Sequence, residues 1–237
     1  RTENAQPAIG ALSAGLYKLL QQAGFKANFT AGHSFGELTA LWAAGVYDDE
    51  AFFALANARG KAMAPPGDPD FDAGMMLAVR GDVTTLQEEL KAFSDITLAN
   101  WNSNTQVVLA GTKPGIAAIQ KVLVAAQKGY SVVALPVSAA FHTQLVGHAH
   151  KPFAEAIKKV KFSKPAIPVY SNTTGQAYPS DPEQIRQKLA DQILNPVRFK
   201  DEIEAIYSQG GSIFVEVGPK NVLTNLVKNI LEGKPHA

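Results

Sequence analysis

Residues 32–36 read Gly-His-Ser-Phe-Gly, a G-x-S-x-G pattern, and their flanks narrow the folds open to this chain. Upstream, Asn28-Phe29-Thr30-Ala31 suits a short buried strand, and downstream, residues 37–44 suit a helix. A serine on a tight strand-to-helix turn belongs to an α/β architecture. Both glycines are expected where a strained turn leaves no room for Cβ atoms against neighbouring backbone. Such a turn would expose the Ser34 hydroxyl. It would also aim the Phe35 N–H and the helix N-terminus at one small volume, where charge developing on an oxygen is stabilised. Glycine-flanked serines also occur in plain turns, so the strand before and the helix after carry the nucleophile reading.

With 237 residues the chain can bury a substantial core, as one large domain or two small ones. Its 22 Lys and Arg against 21 Asp and Glu leave a formal net charge of +1, so no global field favours nucleic acid or an anionic membrane. The absence of cysteine excludes disulfides, thiolate metal sites and a cysteine nucleophile, and fits a cytoplasmic protein. No metal site is expected. No apolar run is long enough to span a membrane, and no signal peptide opens the chain. Arg1-Thr2-Glu3-Asn4 carries no start methionine and looks like the interior of a longer polypeptide.

Taken in order, residues 5–23 place Ala8, Leu12, Leu16, Leu19 and Leu20 at helical spacing, with Gly24 set to end the helix. After the serine turn and its helix, Asp48 or Asp49 can cap a further helix to about Met63, and the 65–69 stretch is a loop. The rhythm then changes. Strand, helix, strand, strand, helix and strand are expected at 75–79, 83–93, 96–101, 106–110, 116–127 and 131–137, a ferredoxin-like unit bounded near Gly74 and Ser138. Beyond it the chain alternates again, with helices at 145–160, 182–193, 199–207 and 222–231 and strands at 167–171 and 212–217. The spacing predicts a hydrolase-like α/β core over 1–73 and 139–237, with an open, mostly parallel sheet, plus a small subdomain over 74–138.

A serine hydroxyl needs a base to take its proton. Of the five histidines, His33 lies inside the turn and should diverge from Ser34, while His148 and His150 suit a solvated helix face. His236 falls in the tail 233–237, expected to fray. His142 follows the strand leaving the insert, where the chain re-enters the main sheet. It is the best-placed base, against the plainer reading of a buried, hydrogen-bonded histidine. Arg59 sits mid-helix in an apolar stretch; it either snorkels to solvent or is held in a pocket to grip a carboxylate through both guanidinium nitrogens.

Five stretches occur in a telling order: Gly32 to Glu37, Arg59-Gly60, Ala140-Phe141-His142, Pro196-Val197-Arg198-Phe199 and Glu216-Val217-Gly218-Pro219. In that order they resemble malonyl-CoA:acyl carrier protein transacylases, and more closely the acyltransferase domains of polyketide and polyunsaturated fatty acid synthases. The run from Gly32 to Gly45 looks especially like the polyunsaturated fatty acid type. The resemblance implies a ping-pong transfer with no bound cofactor. Ser34 attacks a malonyl-CoA thioester with His142 as base, and the phosphopantetheine thiol of an acyl carrier protein then takes the acyl group. It implies that His142 is oriented by a backbone carbonyl within Gln192-Ile193-Leu194-Asn195, and that Arg59 pairs with the malonyl carboxylate. Phe35 would supply an oxyanion N–H, and His33, Phe141, Asn102 and Gln192 would line the substrate cleft, with Gln106 beside them. The partners implied are malonyl-CoA, the carrier protein and neighbouring synthase domains of the same polypeptide.

Two departures from the family pattern stand out. Its opening strand and Gly-Gln-Gly loop, whose glutamine gives a second oxyanion donor, have no counterpart in this numbering. The stretch before the base, commonly His-Ala-Phe-His in malonyl-selective members, reads Ala139-Ala140-Phe141-His142. The retained Phe141 favours malonyl over methylmalonyl groups. Other readings are an acyltransferase of relaxed specificity, a thioesterase-like hydrolase, and a catalytically incomplete fragment that only docks a carrier protein.

Overall fold

The computed structural model describes residues 2–68, 71–137 and 139–237. Arg1, the loop residue Pro69 and the expected subdomain limit Ser138 lie outside the described residues. Helix α1 (Thr2–Gln22) ends where Gly24 takes φ 89° and the Phe25 N–H reaches back to the Leu20 carbonyl. Helix α2 (Gly36–Ala43) follows the serine turn directly, and α3 (Asp49–Ala62) begins at Asp48, whose side chain accepts the Ala51 N–H. The three helices pack on one another over a core that includes Leu38, Leu41, Phe52 and Leu55, all fully buried. Each such side chain contributes about 1.5–3 kcal/mol by leaving water.

The next elements are β1 (Met75–Arg80), α4 (Val83–Leu90), β2 (Ile96–Trp101), β3 (Gln106–Gly111), α5 (Lys113–Ala125) and β4 (Ser131–Ala134). The strands form one antiparallel sheet in the order β2-β3-β1-β4. Leu77, Val79, Leu86, Val107, Leu109 and Ile116 form a separate apolar cluster between this sheet and its two helices. Every second residue along β1 and β3, Met75, Leu77 and Val79 and then Val107 and Leu109, points to this cluster, so one face is buried against those helices. The chain returns through a 3₁₀ turn (Gln144–Ala149) to α6 (His150–Lys158), so the single helix expected over 145–160 is broken, with non-helical backbone at Val146. Helix α7 (Pro182–Asp191), a second 3₁₀ turn (Gln192–Leu194), α8 (Phe199–Ser208) and α9 (Val222–Ile230) complete it.

The mostly parallel sheet expected of the core does not form among the described residues. Parallel pairing is reduced to two isolated bridges, Thr30 with Val169 and Asn100 with Val197. Residues 28–31 are bonded on one side only, through the Thr30 N–H to Pro168 and the Tyr170 N–H to Thr30. Their other side opens on a groove of about 570 Å³, across which lie residues 212–217. That second segment is not a strand either; it pairs with the tail through the Phe214 and Ala237 N–H groups, and Ile213 and Val215 stay exposed. A strand ladder needs a neighbour within about 5 Å, and across the groove neither segment has one. The tail, expected to fray, is instead held by those two bonds.

The two glycines of the serine turn play unequal parts. A Cβ on Gly32 would stand 2.1 Å from the Gly36 carbonyl, whereas one on Gly36 would meet nothing within 4 Å. The expectation of steric need is therefore corrected for Gly36. Gly36→Ala, at the start of a helix, should change unfolding free energy by less than about 1 kcal/mol, while Gly32→Ala should cost about 3 kcal/mol or more. Denaturant unfolding of both variants checks this, and equal losses would refute it.

Candidate active site

Ser34 and His142, 108 residues apart, meet at 2.7 Å between Oγ and Nε2. Both sit in left-handed backbone, at φ 52° and 62°, which non-glycine residues hold only when their surroundings impose it. The His142 Nδ1 faces the carbonyls of Gln192 at 3.2 Å and Asn195 at 3.0 Å. Two acceptors there assign the ring proton to Nδ1 and leave Nε2 free to accept from the Ser34 hydroxyl. These carbonyls lie in the 192–195 stretch that the resemblance singles out. Among the described residues no carboxylate takes part in orienting the ring.

Burial, together with the charge of Arg59, lowers the His142 pKa to about 3. The imidazole is thus a neutral base throughout the ordinary pH range. An unfolded histidine protonates near pH 6.5, so the unfolded chain takes up this proton first, and its share of stability falls as pH drops from 6.5 toward 3. In an NMR titration the His142 ring should keep its neutral chemical shifts to below about pH 5. A midpoint near its ordinary value would overturn this.

Arg59 does not snorkel. It is 1% exposed in the last turn of α3, donating through Nη1 to Gln6 Oε1 at 3.0 Å and through Nη2 to Gln192 Oε1 at 3.0 Å and Ser34 Oγ at 3.3 Å. Burial lowers its pKa to about 10, opposed by the Glu37 charge, so it remains a cation. No carboxylate among the described residues forms an ion pair with it, and its Nε has no partner. A desolvated guanidinium held by neutral amides beside the serine oxygen is a receptor for an anion.

His33 diverges from Ser34, as expected. Its ring tilts against Phe199 with centroids 5.5 Å apart, and its Nε2–H donates to Asn102 Oδ1 at 2.7 Å. Burial holds its pKa below the usual value, so it is neutral. Asn102 thus reaches the site through His33, while Gln106 turns away and accepts from Arg80 at 3.0 Å. Gln192 is fully buried, its amide touching Arg59 and, at 2.9 Å, the Ser34 carbonyl. The Phe35 ring is buried, and among the described residues its N–H bonds to no protein acceptor. Phe141 packs where three apolar clusters meet. The remaining histidines are not free surface. His148 is half-buried and donates to the Ala64 carbonyl at 3.1 Å, and His150 pairs with Asp191 at 2.8 Å.

Several residues of this neighbourhood were given no role from the sequence. Gln6 of α1 and the buried group Glu37, Asn172, Tyr178 and Glu202 support the turn from below. The available signal was Asn172 itself, a polar side chain that with Ser171 follows the apolar run 167–170.

Residues 1–236 match the family described as the acyl transferase domain. This chain belongs to the acyl transferase domain family. The domain is 35% identical over 228 residues to the malonyl CoA-acyl carrier protein transacylase of Synechocystis sp., covering 96% of this chain and 74% of that protein. It is 33% identical over 237 residues to one of the polyunsaturated fatty acid synthase chains of Thraustochytrium sp., covering 99% of this chain and 8% of that one. Among solved structures it matches PlMCAT bound to the acyl-carrier protein AntF, a malonyl-transacylase complex, with a TM-score of 0.89 and 33% identity, covering 97% and 75% of the two chains. Its fold is the α/β acyltransferase fold of those structures. The chain spans only 20% of the polyketide biosynthesis protein ThaF and 30% of PksE. Among the described residues no helix is long and apolar enough to cross a membrane.

Proposed function

We propose that this acyl transferase domain moves a malonyl group from coenzyme A to the phosphopantetheine thiol of an acyl carrier protein, in fatty acid or polyketide synthesis. One observation carries the reading: Ser34 Oγ lies between a neutral base, 2.7 Å away at His142 Nε2, and a buried cation, 3.3 Å away at Arg59 Nη2. In the first half-reaction Ser34 Oγ bonds to the thioester carbonyl carbon and its proton passes to His142 Nε2. The C–S bond then breaks, and His142 returns that proton to the leaving coenzyme A sulfur. In the second half-reaction the carrier thiol gives its proton to His142 and attacks the ester carbonyl, and Ser34 Oγ recovers a proton as it leaves.

The unpartnered Phe35 N–H is assigned to the developing oxyanion. Arg59, presented by Gln6 and Gln192, takes the malonyl carboxylate. His33, Asn102, Gln192 and Phe141 are read as lining or bracing the acyl cleft. The names of the transacylase relatives, and the carrier protein in the matched complex, support malonyl-CoA and an acyl carrier protein as partners, with neighbouring synthase domains in the same polypeptide. We read residues 74–138 as a ferredoxin-like subdomain set into a hydrolase-like core over 1–73 and 139–237. The β-α-β-β-α-β order and the sheet order β2-β3-β1-β4 support this. A cytoplasmic setting belongs to the same proposal.

The test is intact-protein mass spectrometry after brief mixing with malonyl-, acetyl- and methylmalonyl-CoA in competition, followed by holo carrier protein. A malonyl adduct that passes to the carrier is expected. A mixture of adducts would discard malonyl selectivity, and adduct decay without carrier would favour the thioesterase reading. No adduct from folded protein would leave the docking-fragment reading.

A further inference from the structure

Beneath the serine turn lies a buried polar cluster that the transfer chemistry does not touch. At its centre Asn172 is fully buried, and all of its polar groups are engaged. Its Oδ1 accepts the Ser34 N–H at 2.6 Å and Gln192 Nε2 at 3.1 Å. Its Nδ2 donates to the Gly32 carbonyl at 2.6 Å and to Glu202 Oε1 at 2.7 Å. Its main-chain N–H donates to Glu37 Oε2 at 3.0 Å, and its carbonyl accepts the Arg198 N–H at 2.8 Å. The amide can face only one way, since a flip would set two donors together at Ser34 and two acceptors together at Gly32.

We propose that Asn172 is a positioning residue for the transfer: its amide locks the two peptide groups flanking His33, and so aims Ser34 Oγ at His142 and Arg59. The proposal rests on the reading of Ser34 as the nucleophile. Ser34 occupies a backbone region that its own preferences disfavour, and its N–H has no other partner among the described residues. The Gly32 carbonyl likewise receives its bond from Asn172. Glu37 and Glu202 hold the amide in turn. The Glu37 carboxyl takes Tyr178, Gln192 and the Asn172 N–H, and Glu202 Oε1 takes the side chain. Glu202 Oε2 is buried with no partner, and burial beside Glu37 pushes its carboxyl well above the ordinary range. Burial therefore favours the protonated form of Glu202, in which Oε1, the oxygen facing the amide, stays an acceptor.

This arrangement separates two near-isosteric replacements. In Glu202→Gln the acceptor oxygen is retained and the protonated oxygen is replaced by an amide group. Asn172→Asp retains the acceptor toward Ser34 but loses both Nδ2 donors, unless the new carboxyl is protonated. The groups facing it are the carboxyls of Glu37 on α2 and Glu202 on α8, the Tyr178 hydroxyl and, farther off, the Arg59 cation and Asp201. Burial and the neighbouring Glu37 carboxyl disfavour a further negative charge there, so protonation at mildly acidic pH restores a donor.

The experiment uses the full 237-residue chain and reads the rate at which a fluorophosphonate labels Ser34, beside kcat and KM for malonyl-CoA and the unfolding temperature. Folded Asn172→Ala and Asn172→Asp are expected to lose about a hundredfold in labelling rate and kcat at pH 8, with KM changed less than about threefold. Glu202→Gln should stay within about threefold of wild type, and Asn172→Asp should regain about tenfold, relative to wild type, between pH 8 and pH 6. Labelling of Asn172→Ala within about threefold of wild type would overturn the proposal. So would an Asn172→Asp deficit that is the same at every pH, which also decides the matter if Asn172→Ala does not fold. Wild-type chain that is labelled at Ser34 but accepts no malonyl group would defeat the transferase reading alone, leaving the Asn172 comparison intact.

Discussion

Ser34→Ala should abolish the malonyl-enzyme adduct and lower transfer to the carrier protein by about 10⁴-fold or more, while the protein stays folded. The expected size follows from what Oγ does. In the proposed transfer it is the atom that bonds to the acyl carbon, and it donates to His142 and accepts from Arg59, so nothing in the site substitutes for it. Alanine suffers the same left-handed backbone as serine and keeps the main-chain bonds to Asn172 and Gln192, so the turn survives. His142→Ala should fall nearly as far, because the hydroxyl then has no neutral acceptor. The double variant should be no slower than either single one, since both remove the same step. Intact mass and carrier loading read all three. An adduct persisting in Ser34→Ala would move the nucleophile elsewhere, and His142→Ala within about tenfold of wild type would remove the base.

Much of this site was legible because short-range chemistry signals it. The G-x-S-x-G run between an apolar tetrapeptide and a helix marks Ser34, and the small sheet follows from the clean alternation of strand and helix patterns between Met75 and Ala134. What stayed hidden depends on partners far away in sequence. Whether Arg59 snorkels or stays inside is decided by Gln6, 53 residues before it, and Gln192, 133 residues after it. The role of Asn172 depends on peptide groups about 140 residues upstream, which no local pattern encodes. The parallel sheet failed for a related reason. Residues 28–31 and 212–217 have strand-like composition, yet a ladder requires neighbours on the correct side, and only Pro168 to Tyr170 and the tail residue Ala237 provide them. Glu216 shows the converse. Part of a motif quoted for its family resemblance, it caps α9 by accepting the Leu223 and Thr224 N–H groups, a structural duty sufficient to account for its presence.

Arg59→Met should reverse the acyl preference, lowering malonyl kcat/KM by about 10²–10³-fold and leaving acetyl transfer equal to or faster than in the wild type. The wild-type guanidinium is already stripped of water and held only by neutral amides and the serine oxygen. An acyl group carrying a carboxylate completes its coordination, whereas an acetyl group would seal it in unpaired, and leaving a buried charge unpaired costs about 3–5 kcal/mol. Methionine removes that discrimination from both sides: it has nothing to offer the carboxylate and nothing to lose with acetyl. It is preferable to alanine here because it fills most of the volume of the buried Arg59 side chain, which limits the cavity cost. Arg59→Lys tests the geometry rather than the charge. A single ammonium cannot reproduce the planar fork that spans Gln6, Gln192 and the substrate, so malonyl transfer should fall, with acetyl still rejected. The readout is the ratio of malonyl to acetyl adduct on Ser34 in direct competition, with unfolding temperatures measured alongside. A ratio unchanged in a folded Arg59→Met protein would take Arg59 out of substrate selection and leave it as a brace for Gln192. A ratio inverted by the methionine but preserved by the lysine would place the selectivity in the buried charge itself.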